Sequence, residues 1–416
     1  MPASESRYRS SVLDRALTPS RTIAAVGPVR DLDVARAAAV LAAAARHPAP
    51  HLALDPRADE THWRYRTGID RHVTRRDDIP TADIGALLTS IRRETPRRPL
   101  GATLCGDYVA VDYSHGIGDG QLGTSLLAAL SGDVDEQRCR TLALGLPEHA
   151  VRSAAWRHFR RHPRAVRDVA ALRARHKADG AGQRPTKEIA GWQEHNLTLT
   201  GYMPPEAVGA LRAWAKASTP GATTASVTVA HWMAALRDAG ADVDDHVQIL
   251  MNCRRYLDAR HHPAQGNFAV AMPMLLPPSG SPAEIAALTR RVFDSGWPLT
   301  VLLAAEMKAL LGRGGDVGDA TAPGRYDAAG RIRLSISDLG RLTMFERASW
   351  VPGGPPPQLA AYLEPDGPDA VTLLVSELAG GRTFTATFCA AVVDPDLVGR
   401  ALHRMCSDPL ATLPAH

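Results

Sequence analysis

Apolar residues recur at every second position over short runs of this chain, and these runs alternate with stretches that carry a 3.6-residue stripe. RTIAAVGPV (21–29) reads as a strand. DLDVARAAAVLAAAARHP (31–48) follows as a helix, with Asp31 or Asp33 at its N-terminus and Pro48 as its stop. HWRYRTG (62–68) and RHVTRR (71–76) read as strands, and TADIGALLTSIRRE (81–94) as a capped helix. In GATLCGDYVAVDYSH (101–115), Gly106-Asp107 is a two-residue hairpin loop, which places 102–105 and 108–114 in adjacent antiparallel strands. Val109, Val111 and Tyr113 share one face of the second strand, and the alternation carries on to His115. From Gly120 the period changes. Leu122, Leu126, Leu127 and Leu130 form a helical stripe, with Gly132 suited to the C-terminal end.

A basic region from 150 to 178 reads as helix with a break at Pro163. ADGAGQRPTKE (178–188) is polar and glycine-bearing, and is expected to be an interdomain linker. A second series follows. Strands are expected within 194–203, 246–257, 266–277 and 331–342, with a hairpin over 369–393 turning at Gly380-Gly381. Helices are expected within 204–218, 226–240 (capped by Ser226 or a neighbour), 281–296, 299–314 and 394–410. Strands mixed with helices in both halves indicate α+β or α/β layers. The length of 416 residues fits two domains, or one large one.

Composition narrows this little. No run of apolar residues is long enough to span a membrane, and MPASESRYRSSVLDRALTPSR has no signal-peptide core, so a cytoplasmic protein is expected. The five cysteines form no CxxC pair, so reduced, buried thiols are expected and no metal site is implied. The net charge of +4 is mild, but its distribution is uneven. Between Arg152 and Lys177 nine Arg or Lys face a single acid, Asp168. That run suits a solvated helical face, a phosphate-bearing ligand or an acidic protein partner; nucleic acid fits worst, because no aromatic platform or known binding signature accompanies it.

The candidate chemistry sits in YSHGIGDGQL (113–122). The strand brings His115 to a sheet edge, the glycines let backbone N–H groups approach a ligand, and a helix N-terminus offers unpaired donors to a developing oxyanion. A histidine there can take a proton near neutral pH. Together these are parts of an acyl-transfer site. The plainer reading is a loop with a capping aspartate and an incidental histidine. Asp258, His261 and His262 share a Pro-bearing loop but lack a fourth metal ligand at usable spacing. His231 in an apolar helix and His195 before a strand read as structural.

YSHGIGDGQLGTSLLAAL resembles the H-x-x-x-D-G segment of the acyltransferase superfamily that includes chloramphenicol acetyltransferase, condensation domains of nonribosomal peptide synthetases, and polyketide-associated, wax-ester and plant alcohol acyltransferases. DVARAAAVLAAAARHPAP resembles that family's first helix, ILMNCRRYLDARHHPAQGNFAVAMPM its strand–arginine–Gly-Asn–strand pattern, and LSISDLGRL its late Ser-Asn-x-Gly strand. The resemblance implies two chloramphenicol-acetyltransferase-like domains, 1–180 with the motif and 181–416, enclosing an active-site tunnel in a monomer. It implies His115 as general base, Asp119 as a loop-shaping carboxylate paired with Arg254 (Arg255 second), and Gly120 N–H at the oxyanion. Tyr113, Asn267, Ser335, Ser337 and Asp338 would line the channel, although Asp338 replaces the family's asparagine. No permanent cofactor is implied. The donor would be acyl-coenzyme A or an acyl-phosphopantetheine carrier protein, and the acceptor a small-molecule hydroxyl or amine. The charge of the 152–177 run alone suggests that Arg160, Arg161 and Arg164 dock the donor's phosphate or an acidic carrier, or that the run covers the channel. Peptide-forming relatives usually carry a second histidine where this chain has Ser114, which favours a stand-alone acyltransferase. The alternatives are another reaction on the same fold, such as a cyclisation, or a catalytically silent member that binds a carrier or small molecule.

Overall fold

Two mixed sheets organise the chain. The computed structural model describes residues 7–94, 97–132, 135–176, 185–310, 323–411 and 413. The first sheet has the order Gln358–Leu363, Arg21–Gly27, Tyr108–Ser114, Leu100–Cys105, Val73–Arg75. Its pairs are antiparallel except the last. The second has the order Ala269–Leu275, Val243–Asn252, Ile332–Arg341, Ala370–Leu378, Gly381–Cys389, Asn196–Met203. There Ile332–Arg341 runs parallel to both neighbours and the other pairs are antiparallel. With helices on the sheets, the architecture is α+β.

Strand Arg21–Gly27 shows why both faces of the first sheet must be covered. All seven of its residues are buried. Ala24 and Val26 point into a core with helices Val34–Ala45 and Gly120–Leu130. Ile23 and Ala25 point the other way, against Leu87 and Leu88 of helix Ile84–Arg92. The period of two thus divides one apolar run between two cores. Leu122, Leu126 and Leu127 are fully buried in the first of these, and each such side chain stabilises the fold by about 1.5–3 kcal/mol. In the second half the sheet packs on helices Pro205–Ser218, Thr224–Asp238, Pro282–Ser295 and Pro395–Ser407 through one large core. A smaller cluster joins helices Ala150–Arg161 and Trp297–Leu310 to Cys253 and Phe268. It lies beneath the connection that carries Arg254 and Asn267.

Several details differ from the sequence expectation. Asp33, not Asp31, caps its helix, accepting from Arg36 N–H at 2.8 Å. Thr223 caps helix Thr224–Asp238, and Ser226 is its partner in a reciprocal capping box. Of the linker expected over 178–188, residues 178–184 lie outside the described residues, as do 311–314 of the helix expected over 299–314 and the boundary at 180/181. Thr186–Ile189 is a strand, paired antiparallel with Gly324–Asp327. Strand Gln358–Leu363 was not legible either: it comes from the second half of the chain and completes the first sheet beside Arg21–Gly27. The five cysteines are unpaired and buried. His231 is buried, and burial first, then the Arg382 charge, pushes it down to about 4, so it is a neutral core histidine at pH 7. Among the described residues no helix is long and apolar enough to cross a membrane.

Candidate active site

The strand Tyr108–Ser114 ends one residue before the histidine. His115–Ile117 is a single 3-10 turn, so the alternation of the strand does not carry on to His115. Val109, Val111 and Tyr113 are fully buried, whereas His115 is part-exposed. Asp119 then caps helix Gly120–Leu130, its Oδ1 accepting from Gln121 N–H at 3.0 Å. The glycines are required by close approach. A Cβ at Gly116 would stand 2.5 Å from Thr18 Oγ1, and one at Gly118 2.8 Å from Leu122 Cβ. Gly116 therefore lets the short helix Val12–Leu17 lie directly against the loop.

Side chains from distant parts of the chain hold this loop by its carbonyls. Asn267 Nδ2 donates to His115 O at 2.8 Å and Gly116 O at 3.1 Å. His51 Nε2 bonds Ile117 O at 2.7 Å, and Tyr113 Oη donates to Asp119 O at 3.0 Å. The Asp119 carboxylate is buried between Arg254 Nη1 at 2.8 Å, Arg254 Nη2 at 3.1 Å and Phe268 N–H at 3.0 Å. Burial alone would push this carboxyl up. The Arg254 charge and hydrogen bonds, with the N–H groups of Phe268 and Gln121, outweigh burial and hold it below the ordinary carboxylate value. Arg254 also donates to Ala264 O at 2.9 Å and Gly266 O at 2.7 Å. The loop of the first half is thus fastened to the 253–268 connection of the second.

The same connection orients the His115 ring. His115 Nδ1 lies 3.1 Å from Asn267 Oδ1. Asn267 Nδ2 faces three oxygens: His115 O, Gly116 O and Asp14 Oδ1 at 3.0 Å. The nitrogen of the amide must point at those acceptors, so its oxygen is the atom that meets the ring. An amide oxygen only accepts. In the neutral ring Nδ1 therefore carries the hydrogen and donates, and Nε2 is left with its lone pair, the form a general base needs.

The expected site residues are distributed as follows. Arg254, not Arg255, pairs with Asp119; Arg255 lies over the Phe293 ring and 3.6 Å from Asp294. Gly120 opens its helix, and a Cβ there would meet only Leu339 Cδ2 at 3.8 Å, across from the second sheet. Tyr113 does not line an open channel, because strand alternation turns it into the core beneath Gly123. Asn267, on the 253–268 connection, bonds the carbonyls of the His115 loop and faces the ring. Ser335 and Ser337 are buried on the central strand Ile332–Arg341. Asp338 turns away to a buried pair with Arg382 at 2.6 Å and accepts from Thr228 Oγ1 at 3.0 Å. Arg160, Arg161 and Arg164 are exposed around the break between helices Ala150–Arg161 and Ala165–Arg175. Asp258 pairs with Arg157, and His262 Nε2 bonds Leu257 O at 3.3 Å.

A cavity of about 400 Å³ is lined by Arg212, Lys216, Thr223 and Arg382 among others, and one of about 580 Å³ lies between Tyr202 and His403; neither reaches His115. Sequence reasoning missed Asp14 and His51. The Ser11-x-x-Asp14 spacing is a visible capping box, but nothing in it points to a histidine a hundred residues away. His51 is buried edge-on against Tyr8, and burial before all else lowers its pKa.

Sequence comparison finds no matching family model and no matching curated protein. Solved structures do match. Trichothecene 15-O-acetyltransferase from Fusarium sporotrichioides superposes with a TM-score of 0.59 at 11% identity, over 98% of this chain and 96% of that one. The condensation domain of the monacolin K polyketide synthase gives 0.58 at 15% identity, over 97% and 98%. The first condensation domain of the calcium-dependent antibiotic synthetase, in complex with a substrate analogue, gives 0.57 at 17% identity, over 98% of each chain. At these identities the likeness shows the fold alone, the condensation fold.

Proposed function

We propose that this protein is a stand-alone acyltransferase that moves an acyl group from a thioester to a hydroxyl or amine. The observation that carries this reading is the hydrogen bond from His115 Nδ1 to Asn267 Oδ1, which leaves Nε2 as the basic nitrogen in a part-exposed loop. Nε2 takes the proton of the acceptor as its oxygen or nitrogen attacks the thioester carbonyl. The carbonyl oxygen becomes an oxyanion, to which we assign the N–H of Gly120 at the helix start. When the tetrahedral intermediate collapses, the C–S bond breaks and the proton held on His115 passes to the departing thiolate. Asp119 and Arg254 touch no reacting atom in this scheme. They hold the loop so that the ring and the helix start keep their relation.

The donor is proposed to arrive on a phosphopantetheine arm, free in coenzyme A or attached to an acidic carrier protein. Arg160 and Arg161 end helix Ala150–Arg161, whose buried side packs on Phe268, next to Asn267, and Arg164 stands exposed just beyond it, at the start of helix Ala165–Arg175. Trp156 is 72% exposed on the same helix, an aromatic anchor of the sort common at protein interfaces. Thiol release from an acyl-coenzyme A panel and from acylated carrier protein, with a mixed alcohol and amine acceptor set, tests the reading. Turnover that depends on both donor and acceptor is expected. Reversing the three arginines to Glu should raise the donor KM about tenfold with kcat retained, as loss of a charge-steered encounter would. An unchanged KM for both donor types removes the docking role. Absence of thiol release with every donor removes the acyl-transfer reading.

A further inference from the structure

We infer that Asp14 is a positioning residue for His115, acting through Asn267 to set which ring nitrogen carries the hydrogen; the inference rests on the reading of His115 as a base. Asp14 lies in the short helix Val12–Leu17 and is 1% exposed. Three donors converge on its two oxygens. Tyr8 Oη at 3.0 Å and Ser11 N–H at 2.8 Å reach Oδ2, and Asn267 Nδ2 at 3.0 Å reaches Oδ1. The Ser11 N–H cannot turn, because it belongs to the reciprocal cap at the start of the helix. Oδ1 therefore faces Asn267 as a fixed acceptor. If the Asn267 amide rotated by half a turn, its oxygen would stand against that carboxylate oxygen, acceptor on acceptor, and its nitrogen would face the ring. His115 Nδ1 would then have to accept, and the hydrogen would move to Nε2. A buried carboxylate opposite the amide forbids that arrangement more strongly than a neutral acceptor does.

The short helix is kept in place from both sides. Thr18 O accepts from Ser114 Oγ at 2.8 Å, and Gly116 gives the helix room to approach. The segment before the first sheet is thereby part of the site, although it contributes no group that meets a substrate. Asp14→Asn is the discriminating change. Ser11 N–H will keep the oxygen of the new amide, so its nitrogen will face Asn267 where an acceptor stood. Two donors then oppose each other, and a hydrogen bond to position 14 is regained only if Asn267 gives up its bonds to His115 O and Gly116 O and turns its oxygen toward position 14 and its nitrogen toward the ring; the inference is that the buried contact with position 14 decides this balance.

The test is nitrogen NMR of His115 in the whole protein, read beside kinetics. In the wild type Nδ1 is expected to be the protonated nitrogen of the neutral ring. Asp14→Asn should move the hydrogen toward Nε2 and lower kcat about tenfold or more with KM within about twofold, as a wrong histidine tautomer does in acyl transfer. Tyr8→Phe removes another partner of the same carboxylate and should leave the tautomer as it was. A wild-type ring protonated at Nε2 overturns the inference without any variant, which covers the case in which Asp14→Asn fails to fold. An Asp14→Asn protein that keeps the Nδ1 hydrogen overturns it as well. The tautomer is read without turnover, so a protein inactive toward every thioester would refute the proposed function while leaving the Asp14 inference decided by NMR.

Discussion

His115→Ala is expected to lower turnover by about 100-fold or more while leaving the fold intact, the magnitude general-base catalysis contributes. The fold should survive because the ring is part-exposed and the loop is held by other groups. Its carbonyls are bonded by Asn267, His51 and Tyr113, and its end by Asp119 with Arg254. Circular dichroism and melting of the variant should match the wild type, and the thiol-release rate should not. A variant that melts normally and turns over at the wild-type rate would show that the proton is taken elsewhere. Binding of a carrier protein should be unaffected, which separates a lost base from a lost docking surface.

Arg254→Met is expected to be the most destabilising single change near the site. Both partners of the Asp119–Arg254 pair are buried, and removing the arginine leaves a carboxylate with no counter-charge. It also leaves Ala264 O and Gly266 O without the donors that Arg254 supplies. Losing one partner of a buried pair typically costs about 3–5 kcal/mol, which chemical denaturation would read. Arg254→Lys should rescue little, since a single ammonium cannot reproduce the fork that meets two carboxylate oxygens and two carbonyls. The effect has a pH signature. Asp119 is held below its ordinary value in the folded state, so its contribution is complete above about 3.9 and is lost as pH falls further toward the folded value. Wild-type stability should therefore drop through this acidic window, and the drop should be smaller in Arg254→Met. Equal stability of the two proteins at pH 7 would mean that the pair does not hold the halves together.

How much of this was legible in the sequence varies with the range of the interaction. The hairpin at Gly106-Asp107, the helix from Gly120 and the capping by Asp119 follow from local rules, and the structure has them in place. The family resemblance selected Arg254 over Arg255 as the partner of Asp119, which no periodicity could do. What escaped was set by distant contacts. Strand Gln358–Leu363 is bounded by Pro and Gly and gains its identity only from Arg21–Gly27, more than three hundred residues earlier. Tyr113 shares the apolar face of its strand and was assigned to a channel, but that face is the core. The resemblance implies a channel place for Asn267, although polar groups at strand ends are commonly only structural. Its contacts with Asp14, His115 and Gly116 show a different place in the site. Asp14 illustrates the general limit. A capping box accounts for it locally, and no local pattern points to the other partners of the carboxylate.

The central claim is that His115 Nε2 meets the acyl thioester. Incubation with the bromoacetyl thioester of pantetheine, the arm shared by coenzyme A and carrier proteins, tests it most directly. Attack by an unprotonated ring nitrogen on the bromomethyl carbon forms a C–N bond and releases bromide. The account predicts one equivalent of label, on Nε2 of His115, with activity lost in proportion and no label at that site in His115→Ala. Inactivation with the label on another residue, or on Nδ1 of His115, would contradict it.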